Sequence, residues 1–118
     1  MKLPMRKKDV ENISNSLLPL IARRYGLSKY DDRYPIIVVS KGDRTSQGNY
    51  DHINCYINLF YSSLYSRRRV VQILLHEYKH YLQYQTWYTR YCRMGYNYED
   101  HPYEIEANAF ESEYVHFI

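Results

Sequence analysis

The residues best suited to chemistry in this 118-residue chain are two histidines and a glutamate, in the sequence His76-Glu77-Tyr78-Lys79-His80. On an α-helix, side chains four positions apart lie only about 40° from each other, so both imidazoles can reach one cation from the same face. Glu77 stands beside them as a base for bound water. A catalytic zinc ion takes three protein ligands and keeps one position open, so a third donor must come from elsewhere in the chain.

The residues around this motif predict a helix from about residue 70 to residue 85. Its apolar side chains fall within one arc of roughly 120°, which is typical of a face packed on a core. That face consists of Val71, Leu74, Leu75, Tyr78, Tyr81 and Leu82. His76 and His80 lie on the opposite side. Ser66 is a plausible N-cap of this helix. The three arginines at 67–69 follow it, and they are either a solvated surface stretch or a contact for phosphate or an acidic substrate.

A second predicted helix, starting near Pro102, supplies the third donor. Proline suits a first helical position, where its missing N–H would have no partner. The apolar stripe of this helix consists of Tyr103, Ala107, Phe110, Tyr114 and Phe117. If that stripe packs on the first helix, Glu104 turns toward the metal, while Glu106, about 160 to 200° away, faces solvent. We therefore predict Glu104 as the third ligand, with Asn108 one turn later orienting an imidazole.

Other interpretations of these residues stay open at this stage. Glu104 occupies the third helical position if His101 is the N-cap, so it also fits a capping glutamate, although such a box normally uses Ser or Thr. His52, His101 and His116 are alternative third donors, but none of them has a spacing argument behind it.

The remaining elements predict an α+β fold with a short mixed sheet. Residues 10–25 have helical periodicity and should back the sheet, with Pro19 kinking or restarting the helix. Residues 35–40 predict a buried strand, and residues 53–60 alternate as a half-buried strand does. The length suits one domain, residues 1–118.

Composition excludes several classes of protein. No apolar run follows the first two residues and none approaches 18 residues, which argues against a signal peptide and a membrane span. The net charge of +3 is low for a committed nucleic-acid binder. Cys55 and Cys92 form neither a metal knuckle nor a disulfide scaffold, so we expect a cytoplasmic protein. The sixteen tyrosines mainly predict packing.

The sequence His76-Glu77-x-x-His80, followed by Glu104-x-x-Ala107-Asn108, resembles the gluzincin metallopeptidases. In size the chain is most similar to the minigluzincins, and it is also similar to the ImmA/IrrE-type peptidases. The resemblance implies a zincin-like domain in which an edge strand packs on the metal-binding helix, and one Zn2+ per chain. It assigns His76, His80 and Glu104 as metal ligands and Glu77 as general base. Asn108 departs from the aspartate that many relatives have.

The resemblance also implies a function and a partner. The function is a zinc-dependent endopeptidase, and its substrate is a peptide or protein bound in extended form along the edge strand, for which we expect residues 53–60. An alternative is a regulatory gluzincin-like protein that binds or cleaves one partner, such as a repressor, with little general proteolysis. A third is a nucleic-acid module that uses tyrosine and arginine, against which the low net charge argues.

Overall fold

Residues 3–118 are described by a computed structural model. The helices are α1 (Lys7–Tyr25), α2 (Arg67–Leu82), α3 (Gln85–Arg93) and α4 (Pro102–Phe110). The strands are β1 (Ile36–Ser40), β2 (Gly48–Asp51) and β3 (Tyr56–Phe60), and short 3₁₀-helices cover Tyr61–Ser63 and Glu111–His116. The expected α+β class is confirmed.

The three strands form a mixed sheet in the order β1-β3-β2, with β1 parallel and β2 antiparallel to β3. Ile37 lies opposite Ile57 in the parallel pair, and Asn49 lies opposite Asn58 in the antiparallel pair. The short mixed sheet is as expected. The expectation that the strand at residues 53–60 lies at the edge is wrong, because β3 is the central strand and β2 is an edge.

The strand before the metal motif is also shorter than its alternating pattern predicts. The Asp51 carboxylate accepts hydrogen bonds from the backbone N–H groups of Ile53 and Asn54, which closes a turn before β3. Cys55 completes this turn with a positive φ of 59°. Ile53 begins the predicted strand but lies in this turn, and it is consequently 72% exposed.

The first strand was expected to be buried, and this is wrong for most of its length. Only Val39 of β1 is buried, and Ile36 is 56% exposed. The reason is that β1 is the other edge of the sheet, covered on one face by α1. Helix α1 therefore backs the sheet as expected. It continues through Pro19 without restarting, since Pro19 is exposed and the carbonyl it cannot bond faces water.

Helix α2 is the centre of the molecule. It contacts α1, α4, two strands and the C-terminal 3₁₀-helix. Ser66 caps it as expected, because its Oγ accepts a hydrogen bond from the backbone N–H of Arg69. The predicted apolar face is buried, with Leu82 only partly so. Ile73, on the histidine side, is also buried at 5% exposure, so the core and the sheet enclose α2 from both sides.

Since α2 is held by its apolar face, we expect Leu74→Ala to reduce the free energy of unfolding by about 2–5 kcal/mol. Leu74 is fully buried. The matched variant Leu20→Ala changes a leucine on α1 that is 46% exposed, and should cost no more than about 0.5 kcal/mol. Chemical denaturation measures both values, and equal losses would contradict this packing.

Candidate metal centre

Helices α2 and α4 bring three side chains together at one point. The Nε2 atoms of His76 and His80 lie 3.3 and 3.1 Å from the same oxygen, Oε1 of Glu104. All three ligand atoms lie within 4.8 Å of one another, so this group can hold a metal ion. Glu104 is buried at 3% exposure, whereas Glu106 faces solvent.

The start of α4 explains why the Glu104 carboxylate is available for this contact. His101 caps the helix, since its Nδ1 accepts a hydrogen bond from the backbone N–H of Tyr103. The Nε2 of His101 faces the carbonyl oxygen of Tyr88 at 3.0 Å and donates to it. Both nitrogens of His101 are therefore occupied, and Glu104 turns away from the cap toward α2.

The other two histidines considered as third donors lie elsewhere. His116 is 39% exposed in its side chain and stands 3.8 Å from Glu113 in the C-terminal 3₁₀-helix. His52 lines the cavity above the site, but it is not among the three residues whose ligand atoms converge.

A glutamine fixes the orientation of His80. The Nδ1 of His80 lies 2.7 Å from Oε1 of Gln83. The amide nitrogen of Gln83 donates to the carbonyl oxygen of Tyr103 at 2.9 Å and to Glu106 at 3.1 Å, which leaves its oxygen as the group facing the imidazole. Because that oxygen can only accept, Nδ1 of His80 donates to it, and Nε2 is the nitrogen left facing the site.

Glu111 performs the same task for His76, a role that sequence reasoning assigned to Asn108. Its Oε2 lies 2.9 Å from the Nδ1 of His76, and its Oε1 pairs with Arg69 at 2.8 Å. Asn108 is exposed, so the prediction for it is wrong. Glu111 lies two turns beyond Glu104 on the same side of the helix, at the point where the α-helix changes to a 3₁₀-helix. The arginine run contained a signal for this contact, because Arg69 pairs with Glu111 while Arg67 and Arg68 are exposed.

The resulting arrangement is a cluster of acceptors. With both Nδ1 atoms acting as donors, the Nε2 atoms of His76 and His80 face one carboxylate oxygen of Glu104, and all three are acceptors when neither Nε2 carries a proton. The other oxygen of Glu104 already accepts the hydroxyl of Tyr88 at 2.5 Å. Acceptors this close and this buried repel one another unless positive charge lies between them.

A divalent cation fits this donor set. Separations of 3.1 and 3.3 Å are close to the spacing of about 3.3 Å between ligands of a tetrahedral ion with bonds of about 2.0 Å. Imidazole and carboxylate groups suit several divalent ions, zinc, iron and manganese among them. The three side chains leave further coordination positions open toward the cavity.

The pKa shifts of His76 and Glu104 arise from the same close contacts. Burial opposes protonation of His76, but hydrogen bonds to Glu104 and Glu111 outweigh it and raise its pKa to about 9. Burial also opposes ionisation of Glu104, yet hydrogen bonds from His76, His80 and Tyr88 hold its pKa well below the usual range. Protons thus take the place of the cation, so a metal must displace them to bind.

Glu77 differs from every other carboxylate at the site. It is buried at 5% exposure, it lines the cavity, and within residues 3–118 its carboxylate has no hydrogen-bond partner. Burial raises the pKa of Glu77 to about 7, although His76 and His80 act in the opposite direction. An unpartnered carboxylate with a near-neutral pKa beside a candidate metal centre is suited to exchange a proton with water.

A cavity of about 520 Å³ opens above these residues. One wall is formed by β2 and the loop before it, and the opposite wall by α3 and the loop that follows it. The residues that line it are Thr45, Ser46, Gly48, Asn49, Tyr50, His52, His76, Glu77, His80, Gln85, Tyr88, Tyr98 and Glu104. Neither β2 nor α3 was predicted from the sequence, so most of the cavity wall was missed.

Comparisons of the chain with known protein families, curated sequences and solved structures returned no match. The fold and the site therefore define the protein only as a small α+β domain with a candidate His-His-Glu metal centre. In the part of the chain that the structure describes, no helix is both long enough and apolar enough to cross a membrane.

We expect Glu104→Gln to weaken zinc binding by more than the roughly 10- to 100-fold that loss of an outer contact costs, because it removes a ligand and its charge. The control Glu106→Gln lies on the same helix, faces solvent and keeps an oxygen for Gln83. It should bind zinc as the wild type does. Competition with a coloured chelator measures both affinities, and equal affinities would rule out Glu104 as a ligand.

Proposed function

We propose that this protein is a zinc-dependent endopeptidase with His76, His80 and Glu104 as the metal ligands and Glu77 as the general base. The observation that carries the proposal is Glu77, which lines an open cavity next to three converging acceptors and accepts none of the side-chain hydrogen bonds found within residues 3–118. A purely structural metal site is normally closed and needs no such base. The likeness of the two motifs to those of gluzincins supports the same activity.

When bound, zinc supplies a Lewis acid that polarises the peptide carbonyl and lowers the pKa of water. The protein groups perform the proton transfers. Glu77 takes a proton from the attacking water and passes it to the nitrogen of the leaving amine, for which a pKa of about 7 is well matched near neutral pH. Gln83 and Glu111 keep the Nε2 atoms of the two histidines directed at the site through both transfers.

Tyr98 is the best-placed donor for the carbonyl oxygen that gains negative charge. It lines the cavity with 63% of its surface exposed, and partial desolvation together with the nearby carboxylates of Glu104 and Glu77 raises its pKa to about 12, so the hydroxyl keeps its proton. The hydroxyl of Tyr88 is already committed to Glu104. A neutral hydroxyl aimed at developing charge stabilises the transition state more than the ground state.

An extended peptide is the substrate that suits this cavity. Strand β2 pairs with β3 on one side only, and Gly48, Asn49 and Tyr50 line the cavity beside the candidate metal centre. A peptide added along this free edge would make backbone hydrogen bonds that depend little on its side chains. Strand β2 thus takes the role expected from residues 53–60.

We further propose that the protein acts in the cytoplasm. Cys55 and Cys92 do not form a disulfide, and Cys55 is buried while Cys92 is exposed. An unpaired, exposed thiol is common in a reducing compartment.

We expect Glu77→Gln to bind one equivalent of zinc but to lose peptide hydrolysis, because the amide cannot accept the proton. Elemental analysis and digestion of unfolded casein measure the two properties. The control Glu99→Gln, an exposed position, should keep both. A Glu77→Gln protein that still digests casein would refute the base assignment. Zinc binding by the wild type without any turnover would favour the alternative regulatory role.

Replacing Tyr98 with phenylalanine should lower kcat by roughly 100- to 1,000-fold, the effect of removing one donor to an oxyanion, and leave zinc affinity unchanged. Tyr96→Phe is the matched control, since Tyr96 is also exposed but does not line the cavity. Steady-state kinetics on a fluorogenic peptide measure the effect. A kcat within about twofold of the wild type would remove Tyr98 from the mechanism.

A further inference from the structure

A second, smaller cavity of about 200 Å³ opens beside His80. It shares Tyr50, His52, His80 and Gln85 with the main cavity, so the two spaces adjoin at the candidate metal centre. Four of its residues are tyrosines, namely Tyr30, Tyr50, Tyr81 and Tyr84. We call this space the tyrosine pocket. The mechanism above makes no use of it.

The inner wall of the tyrosine pocket presents aromatic rings and not hydroxyl groups. The hydroxyl of Tyr81 donates to the carbonyl oxygen of Arg33 at 2.8 Å, and that of Tyr50 donates to Sγ of Cys55 at 3.5 Å. The two rings stand edge to face with centroids 6.3 Å apart. Because both hydroxyls are bonded within the protein, a ligand meets an apolar surface here.

The outer wall is a stacked pair of exposed rings. Tyr30 and Tyr84 lie with centroids 4.7 Å apart and planes only 18° from parallel. They are 60% and 40% exposed. Aromatic rings in offset or edge-to-face contact attract one another by about 0.5–1.5 kcal/mol beyond the area they bury, so such a pair is a favourable surface for a further ring.

The charge of the pocket selects against charged ligands. Asp31 is the single carboxylate among the residues that line it. Its carboxylate accepts hydrogen bonds from the backbone N–H of Arg33 and from two N–H groups of the Arg33 guanidinium, which hold its pKa below the usual value. The charge of Asp31 is therefore balanced within the protein, and it offers no unpaired charge to a lysine or arginine of a ligand.

We propose that the tyrosine pocket is a specificity subsite that takes an aromatic side chain, phenylalanine or tyrosine, from the peptide bound at the metal centre. This proposal rests on the proposed function, because it names the class of peptide that the same site accepts. The volume agrees with it, since an apolar cavity of about 150 Å³ is enough to hold a benzene ring. The polar side chains of Gln85 and His52, which also line the pocket, tolerate the hydroxyl of a tyrosine.

The test measures binding apart from catalysis. The probes are fluorescein-labelled alanine octapeptides that carry one phenylalanine, one lysine or neither, and the protein is the zinc-loaded Glu77→Gln variant. Fluorescence anisotropy should give an affinity about 10- to 100-fold higher for the phenylalanine peptide than for the alanine peptide. The lysine peptide should bind no better than the alanine peptide.

A second mutation assigns this preference to the pocket. Adding Tyr84→Ala should reduce the preference to within about threefold, while Tyr84→Phe should keep it because the ring remains. Tyr65→Ala, at a tyrosine that is 47% exposed and outside both cavities, should leave it unchanged. Equal affinity for the phenylalanine and alanine peptides, or a preference that survives Tyr84→Ala, would overturn the proposal.

Digestion of the same peptides by the wild-type protein separates the two proposals. Aromatic-selective binding without cleavage would leave the tyrosine pocket standing and remove the peptidase. Cleavage of all three peptides at equal kcat/KM would leave the peptidase standing and remove the pocket. A protein that neither binds nor cleaves these peptides would overturn both proposals.

Discussion

Three acceptor atoms, two imidazole nitrogens and one carboxylate oxygen, face one another in a buried site, and the rest of the structure depends on that contact. It is stable only when positive charge lies between the acceptors. Further hydrogen bonds hold the acceptors in place. Gln83 and Glu111 fix the two imidazoles, and Arg69 in turn holds Glu111. A metal ion bound here would compete with protons for this position, which would link the ionisation of the site to its occupancy.

Only a few elements of the fold are needed to form this contact. Helix α2 is enclosed by the core on one side and by the sheet on the other, so the two histidines cannot rotate away from α4. Arg69 extends the network beyond the site. Besides Glu111, its guanidinium donates to Gln47, in the loop before β2. A wall of the cavity and the orientation of His76 are therefore connected through one side chain.

The parts of the structure that follow from local periodicity were predictable. The 3.6-residue pattern placed the motif on a helix capped by Ser66, and it turned Glu104 inward and Glu106 outward. Other parts depend on tertiary contacts. An alternating strand shows that one face is buried but not how many neighbours it has, and the edge position expected for residues 53–60 came from the resemblance instead. Helix α3 was missed although Trp87, Tyr88 and Tyr91 recur at helical spacing, and none of its residues is fully buried. The change to a 3₁₀-helix at Glu111 likewise leaves no mark in the sequence, so the role of orienting an imidazole was predicted for Asn108 and not for Glu111.

Helix α3 has a consequence for motion as well. It buries none of its nine residues, and its main attachments are the hydroxyl and carbonyl of Tyr88 and the ring of Tyr91 against His101 and Tyr103. Segments with so little packing open at a free energy well below that of global unfolding. Such opening would widen the mouth of the cleft and release one oxygen of Glu104, while α2 and α4 stay folded. We therefore expect the wall of the cavity formed by α3 to open more readily than the floor formed by α2 and α4, so the stability of α3 sets the width of the cavity mouth.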